Sequence, residues 1–113
     1  MSLELVGPDD VYELEYRDGV VFKMRHWLRG MQEEVDRRCV VVSGKDVRYD
    51  VSLDREIKIE NCLVDWSGIT QNGAPVPCTP ENKKKLPVGV FLWLVQQIEE
   101  RAGIRMAETE KKT

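Results

Sequence analysis

One histidine and three cysteines are the groups in this chain best suited to nucleophilic or metal chemistry, and their placement favours neither. A serine or cysteine nucleophile needs a base within hydrogen-bond reach. His26 is the only imidazole, and it falls near the end of an expected strand, where it reads as a surface or strand-end side chain. Cys39, Cys62 and Cys78 contain no close pair and leave an odd number, which fits neither a disulfide framework nor a tetrahedral zinc site. They are expected to be reduced, buried or half-buried thiols. Carboxylates are abundant, but Glu13, Glu15, Glu33, Glu34, Asp36, Glu99 and Glu100 fall on faces that keep strands and helices wet, so no general acid and base can be paired. Gly68 and Gly73 lie in a proline-punctuated connector with no following Gly-Lys-Ser/Thr, so no phosphate loop is formed. No catalytic residue, cofactor or metal ligand is assigned.

Binding is the remaining class, and composition narrows it. With 113 residues, 42% hydrophobic and 33% charged, the chain supports one globular core, and no apolar run approaches the roughly 20 residues of a membrane span. The net charge of -3 is spread over mixed signs, which argues against a nucleic-acid partner. The cationic cluster Lys83-Lys84-Lys85 reads as a solvated turn beside a helix start. The start Met1-Ser2-Leu3-Glu4-Leu5-Val6 lacks the pattern of a signal peptide, so a cytoplasmic location is expected.

The elements that must position any binding surface follow from periodicity. Val11 to Trp27 is expected to be a hairpin around Arg17-Asp18-Gly19. With Gly19 in the left-handed position of a three-residue loop, Tyr16 faces Val20, Leu14 faces Phe22, Tyr12 faces Met24, and Glu13 falls opposite Lys23. Leu28, Met31 and Val35 predict an amphipathic helix over 28–38. The β-branched residues on either side of Ser43-Gly44-Lys45-Asp46 fit a second hairpin over 39–51. From Ser52 the pattern is divided between strand (Ile57, Ile59) and helix (Leu53, Ile57, Asn61, Val64), and a helix over 52–66 is favoured.

Ser67-Gly68 then supplies a helix stop, Gln71-Asn72-Gly73 a tight turn, and Pro75 and Pro77 an extended connector. Thr79-Pro80-Glu81-Asn82 opens a brief helix ending near Leu86, and Pro87 begins the last helix, which stops at Gly103. The fold class predicted is α+β: N-terminal hairpins packed against three to four helices, as one domain over 1–105 with a frayed polar tail over 106–113.

The last helix carries the clearest partner signal. Its expected core stripe is Val88, Phe91, Leu92, Val95 and Ile98, and Trp93 lies at the margin of that stripe or outside it. Phe91 to Val95 make the middle of the helix apolar nearly all round, so the helix is either central or buries a second face against another chain. Trp93, Leu94 and Val90 are the candidate protein-binding residues. Trp66 is a further candidate, although its first expected role is a core plug that docks the connector.

The run Trp66-Ser67-Gly68-Ile69 through Gly73, Pro75-Val76-Pro77 and Thr79-Pro80-Glu81-Asn82 resembles small phage and prophage tail-assembly proteins over roughly residues 50–102. The resemblance implies a non-enzymatic, chaperone-like factor that keeps a long helical tape measure soluble and helps tube subunits assemble around it. Its partner would be the tape-measure or tube protein. Two other classes stay open: a structural virion part such as a tail terminator or head-tail connector, which shares much of this composition and would form a ring with exposed strand edges, and a bacterial adaptor or regulatory module, supported by the apolar face of the last helix. A homo-oligomer fits the first of these.

Overall fold

A computed structural model describes residues 4–103, so the polar tail expected over 106–113 lies outside the described residues. Strands β1 (Val11–Arg17) and β2 (Val20–Arg25) form the first hairpin, with Tyr12 opposite Met24, Glu13 opposite Lys23 and Leu14 opposite Phe22, as the shared apolar face requires. The closing pair differs from expectation. Arg17, not Tyr16, stands opposite Val20, with a register shift between Glu15 and Arg17. Gly19 at φ 80° allows a two-residue Asp18-Gly19 turn, and Tyr16 is the extra residue of a bulge that leaves its ring against Phe22.

Helix α1 (Arg29–Cys39) buries Val35 and Cys39, and its last turn holds Arg37 and Arg38 where the helix dipole favours cations. A second ribbon follows, β3 (Val40–Ser43) and β4 (Asp46–Tyr49), joined by Gly44-Lys45 with Gly44 at φ 63°. Only the first turn residue has positive φ, which makes this a type II′ turn with its preferred glycine.

Helix α2 (Val51–Cys62) starts on Asp50, whose carboxylate accepts the Leu53 N–H at 3.0 Å, so the region over 52–60 is helical. It stops four residues sooner than expected. Leu63–Ser67 is strand β5, antiparallel to β2, with Phe22 opposite Trp66 and Lys23 opposite Asp65. Continuing the helix would have left the second edge of β2 without backbone partners. Leu63, Val64 and Trp66 instead take the extended conformation that β-branched and bulky residues favour, and complete the sheet β1-β2-β5.

Gly68, at φ 82°, therefore ends a strand rather than a helix. The connector makes a small ribbon, β6 (Thr70–Gln71) with β7 (Ala74–Pro75), around Asn72 and Gly73, both at positive φ. Thr79 caps α3 (Pro80–Lys83) through its hydroxyl, which accepts the Asn82 N–H at 3.1 Å. Pro87 precedes α4 (Val88–Arg101), and Gly103 at φ 83° follows it as expected.

One face of the sheet carries Leu14, Phe22, Met24, Leu63 and Trp66 into the core. Helix α2 lies across the centre, touching α1, α4 and the sheet, and buries Ile57, Ile59 and Cys62. The expected stripe of α4 is corrected: Leu94, Val95 and Ile98 are buried, whereas Val88 and Leu92 are exposed. At 100° per residue the inward face is turned by about 50° towards Leu94. The turn follows from α4 packing against two surfaces, α2 on one side and the aromatic end of the sheet on the other, where Tyr16 and Phe22 meet Trp93.

Candidate functional site

The nucleophilic groups are buried or half-buried. His26 follows β2 half-buried, its ring 4.8 Å from that of Tyr12. Cys39 and Cys62 are fully buried and Cys78 half-buried, all as free thiols, and burial pushes each above the ordinary cysteine range. A protonated thiol is a poor nucleophile at neutral pH. Among the described residues, no three His, Cys, Asp or Glu side chains converge as metal ligands.

Cys62 is pushed up to about 12 by burial, against the opposing pull of Lys58 and Arg25. Tyr12 is raised to about 12 by burial and then by Cys62, against Arg101. Both groups hold their proton more tightly folded than unfolded, so the stability they supply is complete below their ordinary values of 9.0 and 10.0 and is lost as pH rises towards 12. Urea midpoints should be flat on the neutral side of about pH 9 and fall steeply above it. A midpoint still flat at pH 10 to 11 would show that these side chains are not buried as described.

The charged cluster with the most burial is structural. Lys58 is 3% exposed and bridges Asp54 at 2.7 Å and Glu99 at 3.2 Å, with the Trp27 ring 5.8 Å from its ammonium. Tyr49 donates its hydroxyl to the second carboxylate oxygen of Asp54. Burial, followed by the Asp54 contact, pushes the Tyr49 phenol well above its usual range. Every buried side-chain polar atom of the described residues is partnered, so the cluster leaves no group free to act on a substrate. It ties β4 to α2 and α2 to α4.

The segment that carries the family resemblance builds a wall. Trp66 is 9% exposed, and its indole N–H donates to the Val76 carbonyl at 2.6 Å, which draws the connector onto the sheet. Asn82 donates through Nδ2 to the Pro77 carbonyl at 2.9 Å, so α3 and the preceding prolines move as one piece. This wall and α4 frame two clefts.

The larger cleft, about 660 Å³, runs between α2, α3 and α4. Apolar Ile59, Leu86, Val88, Phe91 and Pro80 line it together with Glu56 and Glu60 of α2 and with Lys83 and Lys84 at the end of α3. The smaller, about 400 Å³, lies on the opposite side of α4 and brings Val90 together with Trp66, Tyr16, Val76 and Leu86.

Among the residues singled out from sequence, Val90 and Trp66 share the smaller cleft, and Trp93 is half-buried with its ring 5.0 Å from that of Tyr16. Leu94 belongs to the core at 0% exposure, so it is not available to a partner, and its place on the outer face is corrected. The larger cleft was not legible in the sequence as a site. The one signal for it was Lys83-Lys84 beside a proline-capped turn, which pattern alone reads as solvated charge; in the fold it lines the same groove as Glu56, Glu60 and an apolar set. Compared with protein-family models, curated proteins and solved structures, the chain matches none of them.

Proposed function

We propose that this chain is a non-enzymatic binding protein of the tail-assembly kind, acting by holding an amphipathic helical segment of a tape-measure or tube protein in the groove between α2, α3 and α4. The observation that carries the reading is the groove itself, lined by apolar side chains together with two glutamates from α2 and two lysines at the end of α3. Helix-in-groove recognition needs an apolar trough to take side chains spaced three and four apart, with charge along the edges to fix direction. A helix with basic residues on one flank and acidic residues on the other would be accepted in one orientation and repelled in the reverse.

The chemistry supports this reading over catalysis, because the buried thiols are protonated and the buried Lys58 is neutralised by two carboxylates. It also gives the resembling segment a physical purpose, since Trp66, Val76, Pro77 and Asn82 fix the wall on which α3 is mounted.

Co-expression with the long helical tail protein encoded nearest to this gene tests the proposal. Wild type should raise the soluble fraction of that partner and copurify with it. Val88 is 74% exposed, so Val88→Glu should leave stability within about 0.5 kcal/mol of wild type. It should nevertheless weaken binding by about 2 kcal/mol, roughly 30-fold, by placing a carboxylate among the apolar residues that line the groove. Lys84→Glu should weaken it too. Copurification untouched by both variants would remove the groove from the function, and a partner that never becomes soluble would remove the chaperone reading.

A further inference from the structure

The ribbon β3–β4 stands outside the main sheet, and nothing in the groove or the core explains it. All of its strand residues are exposed, four on each strand. They include Val40, Val41, Val42, Val47 and Tyr49 at 40% to 68% exposure, so apolar side chains face solvent on both sides of the ribbon. A two-stranded ribbon is marginal by itself, and a third strand would stabilise it. Natural proteins guard such edges with charge, proline or a bulge. β4 carries Asp46 and Arg48, but β3 is Val-Val-Val-Ser with none of these devices.

We infer that β3 is a self-association edge: two copies of this chain pair β3 with β3 antiparallel across a two-fold axis through Val41, forming one four-stranded sheet.

The register follows from the hairpin's own pairing. Ser43 stands opposite Asp46 across a two-residue turn, so that pair is hydrogen-bonded, and alternation makes Val41 and Arg48 the next bonded pair. The backbone groups of Val41 therefore point inward to β4, and those of Val40 and Val42 point outward. With Val41 on the axis, Val40 of each copy meets Val42 of the other in a bonded pair, which gives four new hydrogen bonds. A slip of one residue would set outward groups against inward ones, and centring on Val42 would give only two bonds.

Within the bonded stretch Val40–Val42 valines alone meet across the axis, so neither like charge nor a buried polar side chain opposes pairing there. The two β4 strands lie on the outside, roughly 14 Å apart at three strand spacings, beyond a Debye length of about 8–10 Å. An isologous contact of this kind closes at two copies and does not build a ring.

Sedimentation of the purified chain over a range of concentrations is the test, combined with three substitutions. Wild type should show a concentration-dependent monomer–dimer equilibrium. Val42→Lys, at a position 67% exposed, should keep the thermal midpoint of the monomer and lose dimerisation by at least tenfold. Val47→Lys on the other strand, 68% exposed, should still dimerise. The central pair is a non-bonded antiparallel site with Cα atoms about 4.5 Å apart, within disulfide range. Val41→Cys should therefore form a covalent dimer on mild oxidation, whereas the wild-type thiols should not. A wild type that stays monomeric, a Val42→Lys dimer, loss through Val47→Lys to the same degree, absence of the Val41→Cys crosslink, or assemblies larger than two would each overturn the inference.

Discussion

Gly68→Ala is expected to destroy the fold, although it adds one methyl group to an exposed residue. Gly68 has φ 82°, where any L side chain is strained by about 1–2 kcal/mol. The larger effect is steric. A Cβ built there would lie 1.7 Å from the carbonyl oxygen of Gly19 and 3.1 Å from the Val20 Cα, both backbone, with no flexible side chain to move aside. The end of β5 rests directly on the turn between β1 and β2, so relief requires β5 to pull away from β2 and take Trp66 out of the core.

The loss should exceed about 4 kcal/mol, a large share of the typical stability of a small domain. Gly73→Ala is the matched control. Its φ is 80° and no atom lies within 4 Å of the added Cβ, so it should cost only the conformational term of about 1 kcal/mol. Urea unfolding of the two variants separates close approach from backbone strain. Equal losses would mean that β5 does not meet the hairpin turn as described.

Asp54→Ala is expected to cost about 3 kcal/mol, because it leaves the Lys58 ammonium buried with Glu99 as its only carboxylate partner among the described residues and leaves the Tyr49 hydroxyl only the longer contact to Asp36 at 3.4 Å. Burying a charge without full compensation is among the few single changes that reach this size. The double variant Asp54→Leu with Lys58→Met removes both charges of the closer pair and substitutes apolar volume. It should be more stable than the sum of the single changes by about 2 kcal/mol in a double-mutant cycle measured by urea denaturation. Strict additivity would show that the two side chains do not share a buried bridge. Because Tyr49 ends β4, Asp54→Ala should also speed hydrogen exchange at the base of the β3–β4 ribbon more than in β2.

Local elements were largely readable in the sequence, and where reading failed the reasons are particular. The first hairpin's face was fixed by which side chains had to share a side, so Tyr12–Met24 and Leu14–Phe22 followed from alternation alone. The bulge at Tyr16 did not follow, because a two-residue turn with a bulge and a three-residue loop present the same apolar face. Gly44, Asn72-Gly73, Thr79-Pro80 and Gly103 each mark a conformation that few other residues adopt at low cost, and each stands at the turn or cap its type predicts. The helix α2 was legible, but its end was not. Nothing between Cys62 and Trp66 breaks a helix, and what stops it is the unpaired edge of β2, a strand lying some forty positions earlier in the chain.

The candidate site was less legible than the fold. A helix apolar nearly all round announces that it has more than one neighbour, yet periodicity cannot say which side faces the core. Leu94, a candidate for a partner's face, is fully buried, while Val88, expected in the core stripe, is exposed.

By itself, then, the sequence determined the α+β class and the turns and caps at Gly44, Asn72-Gly73, Thr79-Pro80 and Gly103, because these depend on residue type and on neighbours within a few positions. Tertiary structure alone decided that Leu63–Ser67 is a strand, that Gly68 must admit the Gly19 carbonyl, which way α4 turns, and that Lys83 and Lys84 line one groove with Glu56 and Glu60. Each of these is a contact between groups distant in the chain. Its free energy comes from burial and backbone pairing that no local pattern encodes.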